Sequence, residues 1–310
     1  MTVTVGVDIG GTSVRAMAFD ESGTAYARSQ VPTNVGGGEQ VVESVLEAWS
    51  DLALEEVVEV AGVGVPGRVD PATGDVRLAV NLGIGDDPYP LGPALSERLG
   101  IPVTVENDVK VAAVGIHEGL KKRNAAPASL VLLNIGTGIS AGVVIEGNLY
   151  RGSHGMAGEI GHVVVDELGP VCACGQTGCL EAVAAGPAIA RLAPDLEPAD
   201  AASQVSRFIA GAITWIAATF DPELIYLGGG VSNAGHPFLD AVRGRLREAA
   251  KNSSLAAQRI DPNAITLAPI DGSTGPRGAA VLAQRAQAIR AINSFIPSTA
   301  MSTPTNGGEI

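Results

Sequence analysis

Every cysteine of this 310-residue chain falls within eight consecutive positions, Cys172, Cys174 and Cys179, and His162 precedes them in the spacing H-x9-C-x-C-x4-C. Three thiolates and an imidazole are the ligand set of a closed tetrahedral zinc site, and Gly175 and Gly178 let a short loop bring three sulfurs onto one ion. A disulfide framework fits poorly, since three cysteines cannot all pair within one chain and Cys172 and Cys174 are too close for an easy bridge. A redox C-x-x-C is absent. Buried free thiols acting as small apolar residues are the remaining alternative.

Two aspartates stand where a carboxylate could act. Asp8 closes an apolar run and precedes Gly10-Gly11-Thr12, so it could meet magnesium through water while the glycine backbone and the Thr12 and Ser13 hydroxyls approach phosphate oxygens. An ordinary tight turn explains the same glycines. Asp108 follows Asn107 at an expected strand-to-helix junction, where it is either a helix N-cap or a catalytic carboxylate. Gly136-Thr137-Gly138 repeats the strand, glycine turn, strand layout of the opening. Gly228-Gly229-Gly230 follows another strand and suits close approach to a flat ligand or sugar, as at a nucleoside site.

These residues need elements to hold them. β-branched runs predict strands at 3–9, 14–19, 24–31, 60–65, 103–106, 130–135, 140–145, 224–227 and 265–269. Helical periodicity covers 38 to about 61, 91–99, 110–118, 186–192, 201–220, 237–250 and 276–292, with the acidic residues of 39–59 on a solvated face. The segment 194–200 reads as an interruption, Glu146-Gly147-Asn148 as a turn. The two strand-glycine-strand units lie about 125 residues apart, a period that means two similar domains facing each other and not a solenoid. Glycine hairpins facing across a cleft could hold a polyphosphate from both sides.

The net charge of −13 argues against a nucleic-acid surface, which needs a basic face. No apolar run is long enough to span a bilayer, the first residues lack the pattern of a signal peptide, and the free cysteines place the expectation in the cytoplasm.

Taken together, Asp8-Ile9-Gly10-Gly11-Thr12, Glu106-Asn107-Asp108, Gly136-Thr137-Gly138, Gly158-Glu159-Ile160-Gly161-His162, the Cys-x-Cys-Gly-x-x-Gly-Cys-x-Glu loop and Leu227-Gly228-Gly229-Gly230 resemble, in order, the ROK family of sugar kinases and repressors within the actin-like ATPase superfamily. The resemblance spans about residues 3–290. It implies an α/β fold of two duplicated ribonuclease-H-like domains, mixed sheets flanked by helices, with a cleft between them. The division it suggests is 1–108 completed by helix 276–293, then 109–275 with the zinc loop; the tail at 294–310 reads as disordered from its Ser, Thr, Pro and Gly content.

The same resemblance implies phosphoryl transfer from MgATP to a hexose 6-hydroxyl, glucose first, with Asp108 as base. Other hexoses, N-acetylhexosamines and a non-catalytic sugar-binding regulator are the alternatives. Gly67, Asn107, Glu159, His162 and Glu181 would bind sugar, His162 using its second ring nitrogen, beside a structural zinc. Asp8 would help hold magnesium. Gly10, Gly11, Thr12, Gly136, Thr137 and Gly138 would hold phosphates, and Gly228, Gly229 and Gly230 the nucleoside. A homodimer or tetramer is a further implication. The family's repressors carry a preceding helix-turn-helix; here the phosphate hairpin comes first. The chain also departs from the family pattern, with Val109-Lys110-Val111 where Ala-Asn-Ala is usual, and with Ser273-Thr274-Gly275-Pro276-Arg277-Gly278 near the end.

Overall fold

The first apolar run becomes β1 (Val3–Ile9), which the Gly10–Thr12 turn folds back into β2 (Ser13–Phe19) and then β3 (Ala25–Pro32). Helix α1 (Gly38–Ser50) leads to β4 (Val58–Val65), a small hairpin of β5 (Arg68–Val69) and β6 (Val76–Arg77), α2 (Leu91–Leu99), β7 (Val103–Asn107) and α3 (Asp108–Lys121). The pattern then repeats as β8 (Ser129–Ile135), β9 (Ile139–Ile145) and β10 (Asn148–Leu149). After the cysteine loop come α4 (Leu180–Ala184), α5 (Gly186–Leu192), α6 (Pro198–Phe220), β11 (Leu224–Gly228), α7 (His236–Asn252), β12 (Ile265–Leu267) and α8 (Thr274–Ser294). This computed structural model describes residues 2–192, 198–253, 255 and 261–294.

Both sheets have five strands in equivalent order, β3-β2-β1-β4-β7 and β10-β9-β8-β11-β12. In each, two antiparallel hairpin partners precede two parallel strands reached through helical crossovers. The duplication expected from the glycine turns is therefore a duplication of topology.

Strand parity decides what each face meets. Val3, Val5, Val7 and Ile9 of β1 pack with α1 residues Val41, Val42 and Val45 in one core. The even residues face α8: a side chain at Gly6 would meet the Pro276 carbonyl oxygen at 1.8 Å, and one at Gly62 of β4 the Ala279 carbonyl at 1.9 Å. In the second half, Val131, Leu133, Ile135, Ala141 and Val143 join α4, α6 and α7 in an outer core, while Leu130, Leu132 and Val144 face α3. So α8 lies on the first sheet and α3 on the second, and the two helices pack against each other between them. They touch backbone to backbone, since a Cβ at Gly115 would lie 1.8 Å from the Thr274 oxygen and one at Gly278 1.7 Å from the Val111 oxygen. Small residues permit this contact.

Several elements differ from the sequence reading. The helix from residue 38 ends at Ser50 and not near Ala61, because Ala53 turns through a left-handed φ of 48° and Val58 onward pairs with β1. Strand pairing of Val58 and Val60 outweighs the helical periodicity, and Glu55, Glu56 and Glu59 lie beyond the helix whose solvated face they were expected to form. Asn148, expected in a turn, belongs to β10. Pro198 already opens α6, whereas 194–197 lie outside the described residues. Ser294, assigned to the tail, closes α8, and the rest of that tail also lies outside the described residues. Among the described residues no helix is long and apolar enough to cross a membrane.

Candidate active site

The C-terminal ends of β1, β4 and β7 and the N-terminus of α3 converge on Asp8 and Asp108. β7 carries Glu106 and Asn107 to the end of the sheet, where Asn107, not Asp108, is the N-cap of α3. The Asn107 Oδ1 accepts from the Val109 and Lys110 amides at 3.1 and 3.2 Å, and its Nδ2 donates to the Gly67 carbonyl at 3.1 Å. The capping alternative for Asp108 thus falls to its neighbour. Asp108 occupies the first helical position, where its carboxylate accepts from the Val109 amide at 2.9 Å.

Burial pushes the Asp108 carboxyl up to about 7, and the negative charges of Asp8 and Glu159 push the same way, against the Val109 amide. Asp8 is pushed up to about 6 by burial, with Arg15 opposing. Arg15 sits opposite Asp8 in the β1–β2 register, and its guanidinium lies 3.8 Å from the carboxylate. The start of α8 closes the other side, where a Cβ on Gly275 would lie 2.5 Å from the Asp8 carboxyl carbon. Two acids in one partly desolvated place, one titrating near neutrality, are suited to proton transfer and cation binding.

The two glycine turns occupy equivalent places at the ends of β1 and β8. Gly10 donates its amide to the Ser13 carbonyl and Gly136 to that of Gly138, both at 2.9 Å, so each turn is tied internally while Gly11, Thr12 and Thr137 are exposed at the tips. Gly228 closes β11 and Gly229 follows it. Gly229 has a φ of 81° and lies so close to β8 that a Cβ would sit 2.4 Å from the Ile135 oxygen, whereas Gly230 faces open space. The Glu181 carboxylate accepts from the Ile139 amide at 2.9 Å and fills the space a side chain at Gly138 would need, so the residue after the cysteine loop braces the second turn.

His162 and the three cysteines come together although nine residues lie between the imidazole and the first thiol. Their ligand atoms all lie within 4.8 Å of one another. The Cys174 and Cys179 sulfurs are 3.7 Å apart, and the Cys172 sulfur is 3.8 Å from His162 Nδ1. A tetrahedron with metal–sulfur bonds of about 2.3 Å has edges of about 3.7 Å, so the donor set fits a zinc-sized ion. Burial pushes the Cys179 thiol up to about 12, a cost that a divalent cation would reverse by binding the thiolate. Because Nδ1 faces the sulfurs, Nε2 is left for a partner outside the cluster.

Glu159 stands just before the short 3₁₀ turn Ile160–His162. Together with Met156, Ile160, Trp215 and Phe220 it lines a mainly apolar cavity of about 420 Å³ that α6 borders. Three neighbours escaped the sequence reading as site residues: Arg15, Lys110 and Arg151. Counting the hairpin register outward from the Gly10–Thr12 turn would have placed Arg15 across from Asp8. Lys110 is buried at 5% exposure and its ammonium donates to the Gly155 carbonyl. Arg151 pairs at 2.5 Å with the buried carboxylate of Glu106, a long-range contact that no local pattern announces.

Known proteins resemble this chain over most of its length. The model of the ROK family matches residues 4–286. A glucokinase of Halalkalibacterium halodurans is 32% identical over 280 residues, 77% of this chain and 83% of that protein. An N-acetylmannosamine kinase of Salmonella newport is 31% identical over 301 residues, 91% of this chain and 98% of that one. Among solved structures, a ROK family glucokinase from Streptomyces griseus in complex with glucose and AMPPNP superposes with a TM-score of 0.75 at 30% identity, covering 91% of this chain and 99% of that one.

Proposed function

Since this chain belongs to the ROK family and is a sugar kinase, we propose that it transfers the γ-phosphoryl group of ATP to the 6-hydroxyl of a hexose, glucose first, with Asp108 as general base. The observation that carries this reading is the half-buried Asp108 carboxyl on the first residue of α3, close enough to Asp8 that burial and its neighbour's charge push it up to about 7. A base of that pKa is ionised often enough at neutral pH to act and basic enough to take a hydroxyl proton as the phosphoryl group arrives.

Each other residue follows from its place. The turns at Gly10-Gly11-Thr12 and Gly136-Thr137-Gly138 align the phosphates between the two halves, and Gly228-Gly229-Gly230 borders the nucleoside, Gly230 being the one with open space. Asp8 is the residue that would hold magnesium, through water, and the ion would neutralise charge on the β- and γ-phosphates. Sugar hydroxyls meet Glu159, Nε2 of His162, Glu181 and the remaining amide hydrogen of Asn107, with Gly67 at the border. His162, Cys172, Cys174 and Cys179 would hold zinc, whose part is structural, because four protein ligands leave no position for water. Catalysis then comes from alignment and charge neutralisation.

A second reading keeps the chemistry and changes the sugar. The N-acetylmannosamine kinase relative aligns over more of the chain than the glucokinase does, which favours an N-acetylhexosamine as the alternative substrate. A single epimer or methyl group alters pocket energy by only about 1–3 kcal/mol, so one assay covers both. Purified protein is offered MgATP with glucose, mannose, fructose, allose, N-acetylglucosamine and N-acetylmannosamine, alongside Asp108→Asn. Turnover of one of these sugars, lost in the variant, supports the proposal. Turnover of none, or equal turnover by the variant, overturns it.

A further inference from the structure

The family pattern has asparagine where this chain has Lys110, in the first turn of the helix that Asp108 opens. An ammonium is rarely buried without a reason, since it gives up its hydration. Here it is 5% exposed and donates to the carbonyl of Gly155, in the segment leading to Glu159. The same segment is held twice more. Arg151 pairs with Glu106, itself 3% exposed, which in turn accepts from the Asn107 amide at 3.0 Å. Gly155 also lies against the β5 hairpin, where a Cβ would be 3.5 Å from the Val69 oxygen.

At its far end the segment is pinned to the other sheet. The Ala141 amide of β9 donates to the Gly158 carbonyl at 2.7 Å, and Gly158 is packed so closely there that a Cβ would meet the Ala141 oxygen at 1.8 Å. Residues 151–158 are therefore a strap, bound to the β7–α3 junction at one end and to β9 at the other, and Glu159 is the next residue. Arg151 is about one-third exposed, which leaves Lys110 as the buried cation that grips the middle.

We infer that Lys110 is a positioning residue for the sugar site: by holding the Gly155 carbonyl to α3 it fixes the distance between Glu159, which follows the strap, and Asp108 on the same helix. This rests on the kinase reading only for the name of the ligand. A side chain in contact with neither sugar nor phosphate would thereby set sugar affinity while leaving the nucleotide side untouched. Asparagine, two carbons shorter in reach, could not make this contact without movement of the strap.

The test is Lys110→Met, which keeps the stem and removes the donor, with Arg151→Met as the second anchor variant. KM for sugar and for ATP are measured together with hydrogen exchange of 151–159 in the full-length protein. Expected is a rise of about tenfold in sugar KM, the worth of one charge-assisted hydrogen bond, with ATP KM within twofold of the parent and faster exchange confined to the strap. Arg151→Met should move both readouts the same way by less, and it carries the test alone if Lys110→Met does not fold. Unchanged sugar KM and exchange, or equal rises in both KM values, would overturn the inference. If the parent protein turns over no hexose, the kinase reading fails, while the exchange comparison still decides whether Lys110 anchors the strap.

Discussion

Replacing Asp108 by asparagine should disable the enzyme and stabilise the protein. Burial pushes the folded carboxyl from the ordinary 3.8 up to about 7, and a tenfold change in proton affinity is worth about 1.36 kcal/mol. The full shift amounts to about 4 kcal/mol. Part of it comes from Asp8, whose own titration is linked to it, so the expected gain is about 2–4 kcal/mol at pH 8.5. Because the folded pKa is raised, the protonated fold is the favoured one. Stability from this group is complete below about pH 4 and is lost as pH rises to about 7. Asparagine has no such loss and can still accept from the Val109 amide. Urea melts of parent and variant without nucleotide or magnesium, at pH 8.5 and 5.5, measure the gap. About half should remain at pH 5.5, where the unfolded carboxyl is already ionised but the folded one is not. In the same variant kcat should fall by about 10²–10⁴, and the parent's kcat/KM should climb with pH through about 7. A variant no more stable than the parent at pH 8.5, or a gap that ignores pH, would refute the argument from burial.

Other consequences are equally open to measurement. Chelation, or Cys179→Ser, should release about one zinc per chain by elemental analysis, lower the melting temperature and weaken sugar binding through His162 and Glu181; a chelated protein with unaltered sugar affinity would break the link between metal and pocket. Gly115→Ala and Gly278→Ala each place a methyl within 2 Å of a carbonyl oxygen in the facing helix and should each cost about 3 kcal/mol or more in urea denaturation. Asn107→Ala removes both capping bonds and the bond to Gly67 and should cost about 1–2 kcal/mol, whereas Asn107→Asp keeps the cap and should recover most of that stability. Equal losses in the two variants would locate the role of Asn107 in the Gly67 contact instead.

The sequence by itself determined the elements and the chemistry's ingredients. Runs such as 3–9 and 130–135 are apolar and β-branched over a strand's length, and glycines break them at Gly10 and Gly136, so local forces suffice to specify strand, turn and strand. The clustering of the cysteines within one loop gave the ligand set in the same way, because its members are close along the chain. The sequence reading failed where distant pairing decided, as when Val58 joined β1 and cut α1 short, and at Asn148, where a tight local hairpin put the residue opposite Ile145 in a strand. The α3–α8 contact, the Arg15–Asp8 and Arg151–Glu106 pairs and the burial of Lys110 also belong to the tertiary structure. Glycines at 6, 62, 115 and 278 look unremarkable one by one, and only the packed helices show that each vacates space for a backbone from elsewhere. The charge state of Asp108 has the same origin. Its identity and its place at a helix start are written locally, but desolvation and the fields of Asp8 and Glu159 come from residues that folding brings to it, and those are what raise its pKa toward neutrality.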